Sequence, residues 1–352
     1  MPPVPSSRSS RGLLVIKTNV IIVGGGPAGA SCAWQLRRRG PDCLILDKAV
    51  FPRPKLCAGW ITPEVVADLE MDIATYPHRF LTFEVTRAHL FGIGLTMRSP
   101  QHSIRRVEFD HWLLQRSGAE VITHQVKHIE RIPRGYRIDD RFECDALVGA
   151  GGTACPVYRS LFREINPRAR WLQVAALEQE LPYAWQDPDC HLWFFEKGLP
   201  GYSWYVPKQN GYLNLGVGGM AQRLQDTGGS IHRHWEHFVA TLRRRRLIDM
   251  DLALEPQGYS YYLRNGVRRI RHENAFLVGD AAGLATRDLA EGIGPAIRSG
   301  ILAADAIADG GEYSLDSVSR YSLGAGLPRR ALAYGLSRQR VASPAVETPD
   351  PG

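Results

Sequence analysis

The chain has 352 residues, of which 44% are hydrophobic and 22% charged, and its formal net charge is +7. Because a single domain usually has about 100–200 residues, this length predicts two interlocked domains with a sizeable core. No apolar run approaches the ~20 residues that cross a bilayer. The six cysteines form no C-x-x-C pair and no metal-like cluster, which argues against a disulfide scaffold and a metal site.

The excess positive charge lies in short arginine runs at residues 37–39, 243–246 and 268–271. We interpret these runs as solvated helix ends or faces, with an anionic substrate or lipid head groups as the alternative. No nucleic-acid motif accompanies them. Residues 1–18 lack a signal-peptide core and are expected to be a flexible extension. We therefore expect a cytoplasmic protein, with peripheral contact to a membrane left open.

The first predicted elements form a nucleotide-binding unit. Residues 19–23 (NVIIV) predict a buried strand, and Gly24, Gly26 and Gly29 follow it with G-x-G-x-x-G spacing. Such glycines permit a tight turn and a close approach to a pyrophosphate, which the N-terminal amides of the next helix then face. A second strand ends at Asp47, where a carboxylate accepts hydrogen bonds from an adenosine ribose. This order predicts a site for FAD or NAD rather than NADP.

The middle of the chain alternates between predicted helix and sheet. The segment RRVEFDHWLLQRSGAEV predicts a helix that begins near Arg106, with Phe109, Trp112 and Leu113 on a core-facing side. Residues 120–132 and 136–152 predict a strand meander. Residues 166–265 contain aromatic-rich strands separated by turns, which predict a substrate-binding sheet. One segment of that region predicts a helix whose apolar stripe is core rather than an aromatic cage: Ile231, Trp235, Phe238, Val239 and Leu242.

A second cofactor signal lies near the C-terminus. The segment AFLVGDAAG predicts a strand that ends at Gly279 and Asp280, and a helix is expected to begin near residues 291–294 and to end near Asp309. A helix N-terminus carries a partial positive charge, which would stabilise the negative charge of a reduced flavin. The segment resembles the second FAD fingerprint of the para-hydroxybenzoate-hydroxylase-like flavoprotein superfamily, and this resemblance implies FAD as the cofactor.

These motifs resemble those of the para-hydroxybenzoate-hydroxylase-like flavoprotein superfamily, whose R-x-x-F-D-x-x-L pattern matches residues 106–113. The resemblance implies that Asp280 accepts a hydrogen bond from the ribityl chain and that EGIGPA directs backbone amides at the flavin. It also implies that Arg106 lies near the cofactor, with a surface ion pair as the alternative, and that the backbone of Val126 contacts adenine. The expected cofactor-binding set is Gly24, Gly26, Pro27, Ala28, Gly29, Asp47, Lys48, Arg106, Val126, Gly279, Asp280, Gly292, Ile293 and Gly294.

Two further phrases resemble geranylgeranyl reductase-like flavoproteins. FPRPKLCAGW matches their K-x-C-G-G segment at Lys55 and Cys57, and GYSWYVPK is similar to their G-Y-x-W-x-F-P-K sequence. The resemblance covers nearly all of residues 15–310. It identifies Cys57, Tyr202 and Trp204 as the candidate catalytic residues, with Tyr202 as proton donor or orienter and Trp204 as a stacking wall. An inert buried thiol and ordinary sheet-core positions are the alternatives for these residues.

The expected fold is α/β, α+β overall, with a Rossmann-like FAD-binding domain and a mixed-sheet substrate domain, as in glutathione-reductase-like flavoproteins. The FAD-binding domain is assigned to residues 19–78, 101–165 and 266–310, and the substrate domain to residues 79–100 and 166–265. Residues 311–352 are expected to form a C-terminal helix and a disordered tail.

The motif LVGAGG departs from the superfamily, because Gly151 stands where its hydroxylases have an aspartate associated with NADPH-dependent flavin reduction. This departure favours an FAD-dependent reductase of a C=C bond in an isoprenoid-like or other apolar substrate. A flavin-dependent monooxygenase or halogenase is the first alternative, and a flavoprotein that modifies or binds a partner protein is the second. The substrate is expected to be small and apolar or anionic. NAD(P)H, ferredoxin or another electron donor and the oligomeric state are left open.

Overall fold

The structure is a computed structural model that describes residues 15–90, 92–265 and 269–322. Most of the expected flexible extension and C-terminal tail lies outside the described residues. The strands are β1 (Ile16–Val23), β2 (Cys43–Asp47), β3 (Trp60–Ile61), β4 (Leu81–Leu90), β5 (Ile93–Ser103), β6 (Glu120–Thr123), β7 (Ile129–Ile132), β8 (Gly135–Ile138), β9 (Phe142–Gly149), β10 (Gln173–Pro182), β11 (Cys190–Phe194), β12 (Gly201–Lys208), β13 (Tyr212–Met220), β14 (Gln257–Tyr262), β15 (Arg271–His272) and β16 (Ala275–Leu277). The helices are α1 (Pro27–Arg39), α2 (Pro63–Asp68), α3 (Arg106–Ser117), α4 (Ala221–Asp226), α5 (Ile231–Arg244) and α6 (Ile293–Asp309).

The first sheet has the strand order β15-β16-β9-β1-β2-β6, and β7 and β8 extend it as an antiparallel meander beside β9. Its central strands are parallel and read as apolar runs, because helices bury them. In β1, Ile21 and Ile22 are fully buried. The carboxyl ends of β1, β9 and β16 meet at one edge, where ligands of open α/β sheets bind.

The second sheet has the order β14-β10-β13-β12-β11-β4-β5-β3. Successive side chains of a strand face opposite sides. One face packs on α5, where Trp193 and Tyr205 meet Trp235, Phe238 and Leu242. This contact confirms that the predicted helical stripe belongs to the core. The other face points towards the first sheet.

The start of the described chain differs from one predicted boundary, and its last residues are irregular. β1 begins at Ile16, three residues earlier than predicted. Residues 311–322 form no helix, because Gly310 ends α6 in the left-handed region at φ 65° and the following residues pack on the core. Tyr313 donates a hydrogen bond to the Leu277 carbonyl at 2.9 Å. Within the described residues, no helix is long and apolar enough to span a membrane.

Candidate functional site

A cavity of about 740 Å³ lies between the two sheets, within the size range of small-molecule and cofactor sites. Of the residues expected from the sequence to bind the cofactor, it is lined by Gly24, Gly26, Pro27, Ala28, Asp47, Lys48, Arg106, Val126, Asp280, Gly292 and Ile293. It is also lined by all three candidate catalytic residues, Cys57, Tyr202 and Trp204. The fold therefore gathers segments separated by up to about 270 residues around one space.

Three glycines of the expected set do not line the cavity and instead have structural contacts: Gly29, Gly279 and Gly294. A Cβ on Gly29 would lie 1.9 Å from the Gly24 carbonyl oxygen, so α1 can approach the turn only without a side chain there. Gly279 has φ 57° and packs against Ala28 and Ala296. The Gly294 amide donates to Glu291.

The turn between β1 and α1 is suited to a pyrophosphate. Gly24 has φ 114°, and a Cβ there would lie 2.5 Å from the Ala150 carbonyl oxygen. Gly26 precedes α1 without a side-chain cap, which leaves the helix amides available to an anion. Arg53 and Arg159 line the same cavity and supply positive charge that the sequence motifs did not indicate.

Asp47 lies at the end of β2 and is only 8% exposed. One carboxylate oxygen accepts the Gly25 amide at 2.7 Å, and the other accepts the Ala49 amide at 2.8 Å. The carboxylate thus holds the glycine turn in shape and lines the cavity, where it retains lone pairs for a ribose hydroxyl. The β1–α1 turn and the Asp47 carboxylate therefore depend on each other for their conformation.

Arg106 is buried at the start of α3 and forms a bidentate ion pair with Asp110, with N–O distances of 2.7 and 2.8 Å. The alternative of a surface ion pair is therefore wrong for this residue. Arg106 and Cys57 line the same cavity and interact electrostatically, and the Cys57 sulfur accepts the Gly59 amide at 3.4 Å. Arg106 connects the α3 end of the cavity to the loop that carries the candidate cysteine.

The start of α6 is capped by its own chain. The Glu291 carboxylate accepts the Gly294 amide at 2.5 Å, and burial raises the pKa of this carboxyl to about 7. An isoalloxazine edge and the Glu291 carboxylate would compete for the same amides. Asp280, one turn after β16, lines the cavity nearby.

The second sheet supplies an aromatic wall. Tyr202 and Trp204 alternate with residues that face α5, so both point into the cavity. The Tyr202 hydroxyl donates to the Leu289 carbonyl, and the Trp204 indole donates to Asn214 at 2.7 Å. Trp204 lies directly over Gly216, where a Cβ would be 2.0 Å from the ring. The glycines of NLGVGG thus make room for this indole.

A polar cluster beneath residues 55–59 was missed by the sequence motifs. Lys208 is fully buried, and its Nζ donates to the carbonyls of Ala58, Gly59 and Ile104, the last two at 2.8 Å. Three acceptors match the three N–H groups of an ammonium, although burial lowers the pKa of the lysine. The position of Lys208 at the end of GYSWYVPK was the available signal, but its partners come from distant segments.

Gly151 lines the cavity between the pyrophosphate turn and β9. Its backbone has φ −76°, which any residue adopts, and a Cβ would come within 3.2 Å of the Cys155 backbone. Tight packing against Cys155, rather than an unusual dihedral angle, thus explains why a residue without a side chain fits this position.

Comparisons with known proteins agree with this architecture. A model of the NAD(P)-binding Rossmann-like domain matches residues 22–88. The chain is 28% identical to a menaquinone reductase of Mycolicibacterium smegmatis, over 92% of this chain and 86% of the relative. It is 24% identical to digeranylgeranylglycerophospholipid reductase 2 of Methanosphaera stadtmanae, over 87% of this chain and 82% of the relative.

Among solved structures, a geranylgeranyl bacteriochlorophyll reductase-like protein of Thermoplasma acidophilum superposes with a TM-score of 0.72 at 19% identity, covering 88% of this chain and 81% of the other. A flavin-dependent brominase superposes with a TM-score of 0.67 at 17% identity, covering 83% and 79%. These comparisons confirm the predicted resemblance to geranylgeranyl reductase-like proteins and the predicted flavoprotein fold.

Proposed function

We propose that this chain is an FAD-dependent oxidoreductase that reduces a C=C bond of an isoprenoid-like substrate. The observation that carries the proposal is the single cavity that joins the glycine turn of β1 and the start of α6 to the wall formed by Tyr202 and Trp204. A cofactor that spans the first two features reaches the third with its reactive end.

The residues present fit FAD. The β1–α1 turn has the close backbone approach and the free helix amides that a pyrophosphate needs, Asp47 is placed for the ribose, and Asp280 with the α6 start is placed for the flavin end. The bound flavin supplies the hydride, from N5. The protein would bind and orient the substrate against Trp204 and exclude water from the cavity, whose lining also includes Cys57 and Tyr202.

The relatives are named for reduction of menaquinone and of digeranylgeranylglycerophospholipid, both of which carry isoprenoid chains. A buried apolar cluster behind the cavity wall is compatible with a substrate of that class. Phe194 lies beside Tyr202 with ring centroids 5.4 Å apart, and its cluster includes Leu192, Val206 and Leu289. Apolar side chains thus continue from the cavity wall along the sheet.

The test of this function is anaerobic. The purified protein should retain FAD, dithionite should reduce it fully, and a geranylgeranyl compound or a short-chain menaquinone should reoxidise it without oxygen. Because Gly151 replaces the carboxylate associated with NADPH-dependent reduction, NADPH should reduce the flavin slowly. A ferredoxin-type donor is the alternative to be compared in the same assay.

A flavin-dependent monooxygenase or halogenase is the second candidate, since a brominase shares the fold. Rapid NADPH reduction stimulated by an aromatic substrate, followed by oxygen-dependent product formation, would replace the reductase proposal with this one. Stable binding of a polypeptide without small-molecule turnover would favour a partner-modifying flavoprotein.

Peripheral membrane contact is a finer part of the same proposal. Ile93 and Leu95 at the start of β5 are 65% and 51% exposed. They pair with Leu90 and Ala88 of β4, on the sheet face that leads to the cavity. We expect this hairpin to contact a lipid surface, which would let an isoprenoid tail enter from the bilayer. Co-sedimentation with vesicles should decrease in Ile93→Ser and Leu95→Ser proteins but persist in Thr96→Ser, which changes the opposite face.

A further inference from the structure

The cavity-facing side of the second sheet carries a buried acid that the proposed function leaves unused. Glu178 of β10 is 1% exposed, and its two oxygens have different partners. Oε1 accepts the Cys57 amide at 2.5 Å and an Asn214 N–H at 3.4 Å. Oε2 accepts the phenol O–H of Tyr259 at 3.1 Å. One oxygen therefore holds the loop of Cys57, while the other meets a tyrosine of the cavity wall.

Tyr259 belongs to β14, which pairs with β10 so that Tyr259 lies opposite Ala176 and beside Glu178 on the same face. It lines the cavity together with Cys57 and Tyr202. Its ring lies 5.7 Å from the Lys55 ammonium. The phenol thus has the buried acid on one side and the cavity on the other.

We propose that Tyr259 donates the proton to the substrate alkene and that Glu178 restores that proton, a step that rests on the proposed reductase function. The reduced flavin supplies a hydride, which forms one new C–H bond. The O–H bond of Tyr259 breaks and its proton forms the second C–H bond. The carboxyl proton of Glu178 then passes to the tyrosine oxygen, and solvent water reprotonates Glu178. Two electrons and two hydrogens are added to one C=C bond.

The hydrogen-bond pattern explains why the acid must be protonated. When Glu178 is ionised, the phenol hydrogen points at its carboxylate, away from the substrate. When Glu178 carries a proton, its O–H donates to the tyrosine oxygen and the phenol hydrogen can point into the cavity. Burial raises the pKa of Glu178 to about 7, so both states are populated near neutral pH.

The groups that face Glu178 come from four segments. Lys208 contributes a positive charge from β12, Asn214 an amide from β13, Tyr259 a phenol from β14, and the loop of Cys57 a backbone N–H. All four groups lower the pKa of Glu178 because they favour its ionised form. Burial raises the pKa and is the larger effect.

Tyr202 is less suited to repeated proton donation. Its hydroxyl donates to the Leu289 carbonyl, and a carbonyl has no proton to return. We therefore assign Tyr202 to substrate orientation and Tyr259 to proton transfer.

The test compares Tyr259→Phe, Glu178→Gln and the control Glu180→Gln, which changes the next acid on the same face of β10. Each dithionite-reduced holoenzyme is mixed anaerobically with geranylgeraniol or a short-chain menaquinone, and reoxidation is followed from pH 5.5 to 8.5 together with the amount of C=C-saturated product, because a quinone ring can also accept the electrons. In the wild type and in Glu180→Gln the rate should fall about tenfold per pH unit above pH 7. Tyr259→Phe should slow reoxidation by about 10²-fold with FAD content and dithionite reduction unchanged. Glu178→Gln should abolish the pH dependence.

A second readout needs no turnover. Because burial raises the folded-state pKa of Glu178 above its unfolded value, the folded protein retains a proton that the unfolded chain releases between about pH 4.5 and 7. The urea midpoint should therefore fall across this window, and fall less in Glu178→Gln than in wild type or Glu180→Gln.

The outcomes separate this relay from the underlying function. If wild type reduces the alkene and Tyr259→Phe does so at the same rate and with the same pH profile, the relay is wrong and the reductase function stands. A loss of FAD from Tyr259→Phe without any change in the pH profile would assign the residue a structural role and also overturn the relay. If wild type transfers no hydrogen to either acceptor, the proposed function itself fails.

Discussion

The Rossmann-like sheet and the second sheet of this protein arrange their polar groups in opposite ways. In the first, Gly24, Gly29 and Asp47 lie within 24 residues, and both the hydrogen bond from the Gly25 amide to Asp47 and the close approach of Gly29 to Gly24 are local to one β-α-β unit. In the second, Lys208 contacts Ala58 and Ile104 across 150 and 104 residues. The comparison teaches that a short motif can specify a cofactor turn, whereas the buried polar cluster of the sheet depends on pairing between distant strands.

The strongest test of the local half is Gly29→Val. A Cβ at this position would lie 1.9 Å from the Gly24 carbonyl oxygen, so α1 must move away from the turn. We expect loss of FAD binding and a decrease of about 3 kcal/mol or more in the free energy of unfolding, measured by flavin content and urea denaturation. Gly94→Val is the control, because no atom lies within 4 Å of a Cβ there. Retention of FAD by Gly29→Val would contradict the close-approach argument.

The corresponding test of the distant half is Lys208→Met. Methionine fills similar space but leaves three buried carbonyls without their donor, which should lower the free energy of unfolding by about 3 kcal/mol. Thermal and urea denaturation would measure the loss, and proteolysis should increase in residues 55–59. The exposed Lys127→Met should change stability by less than about 0.5 kcal/mol. Equal stability of the two variants would mean that the lysine does not hold the loop.

Asp47→Ala sharpens the comparison, because this carboxylate has a local structural contact and a proposed ligand contact. Loss of charge-assisted hydrogen bonds should weaken FAD binding by about 1–3 kcal/mol, measured by calorimetry on the apoprotein. Asp42→Ala, at the exposed start of the same strand region, is the control. An unchanged FAD affinity would remove Asp47 from the cofactor site.

The smallest expected effect is that of Glu291→Gln on the flavin. Above pH 7, Glu291 is ionised and its negative charge disfavours the negative charge of a reduced flavin near α6. Removing the charge should raise the reduction potential by roughly 20 mV at pH 8, equivalent to about 1 kcal/mol for two electrons. At pH 6 the wild-type acid is protonated, so the difference should shrink. Spectroelectrochemical titration at both pH values would show it, and a pH-independent difference would count against this role.

Local sequence patterns were sufficient to predict much of the Rossmann-like part of the fold. The alternation of strand, glycine turn, helix and terminal acid predicted β1, α1 and β2, and the second motif predicted the bounds of α6 closely. The predicted core stripe of α5 is also confirmed. These successes share a cause, since each feature depends on side-chain spacing within one element or on a turn between neighbours.

The sequence did not predict where the described chain begins its first strand or how its last residues pack, because contacts with distant segments determine both. The start of β1 moved because Ile16 pairs with Phe142 of β9, a partner that lies 126 residues away. Residues 311–322 form an irregular segment in which Tyr313 and neighbouring residues pack on the core, and residues 323–352 of the region assigned to a C-terminal helix and tail lie outside the described residues. No spacing rule within these segments predicts those contacts.

By itself, the sequence determined the nucleotide turn, the cofactor class and the helical and strand periods, because these depend on residues close together in the chain. Only the tertiary structure decided that Glu178, Tyr259 and Lys208 meet beneath the loop of Cys57. The strand of Tyr259 pairs with that of Glu178, and β13 joins the strand of Glu178 to that of Lys208. A charged side chain is stable in that interior only where the fold brings its hydrogen-bond partners together.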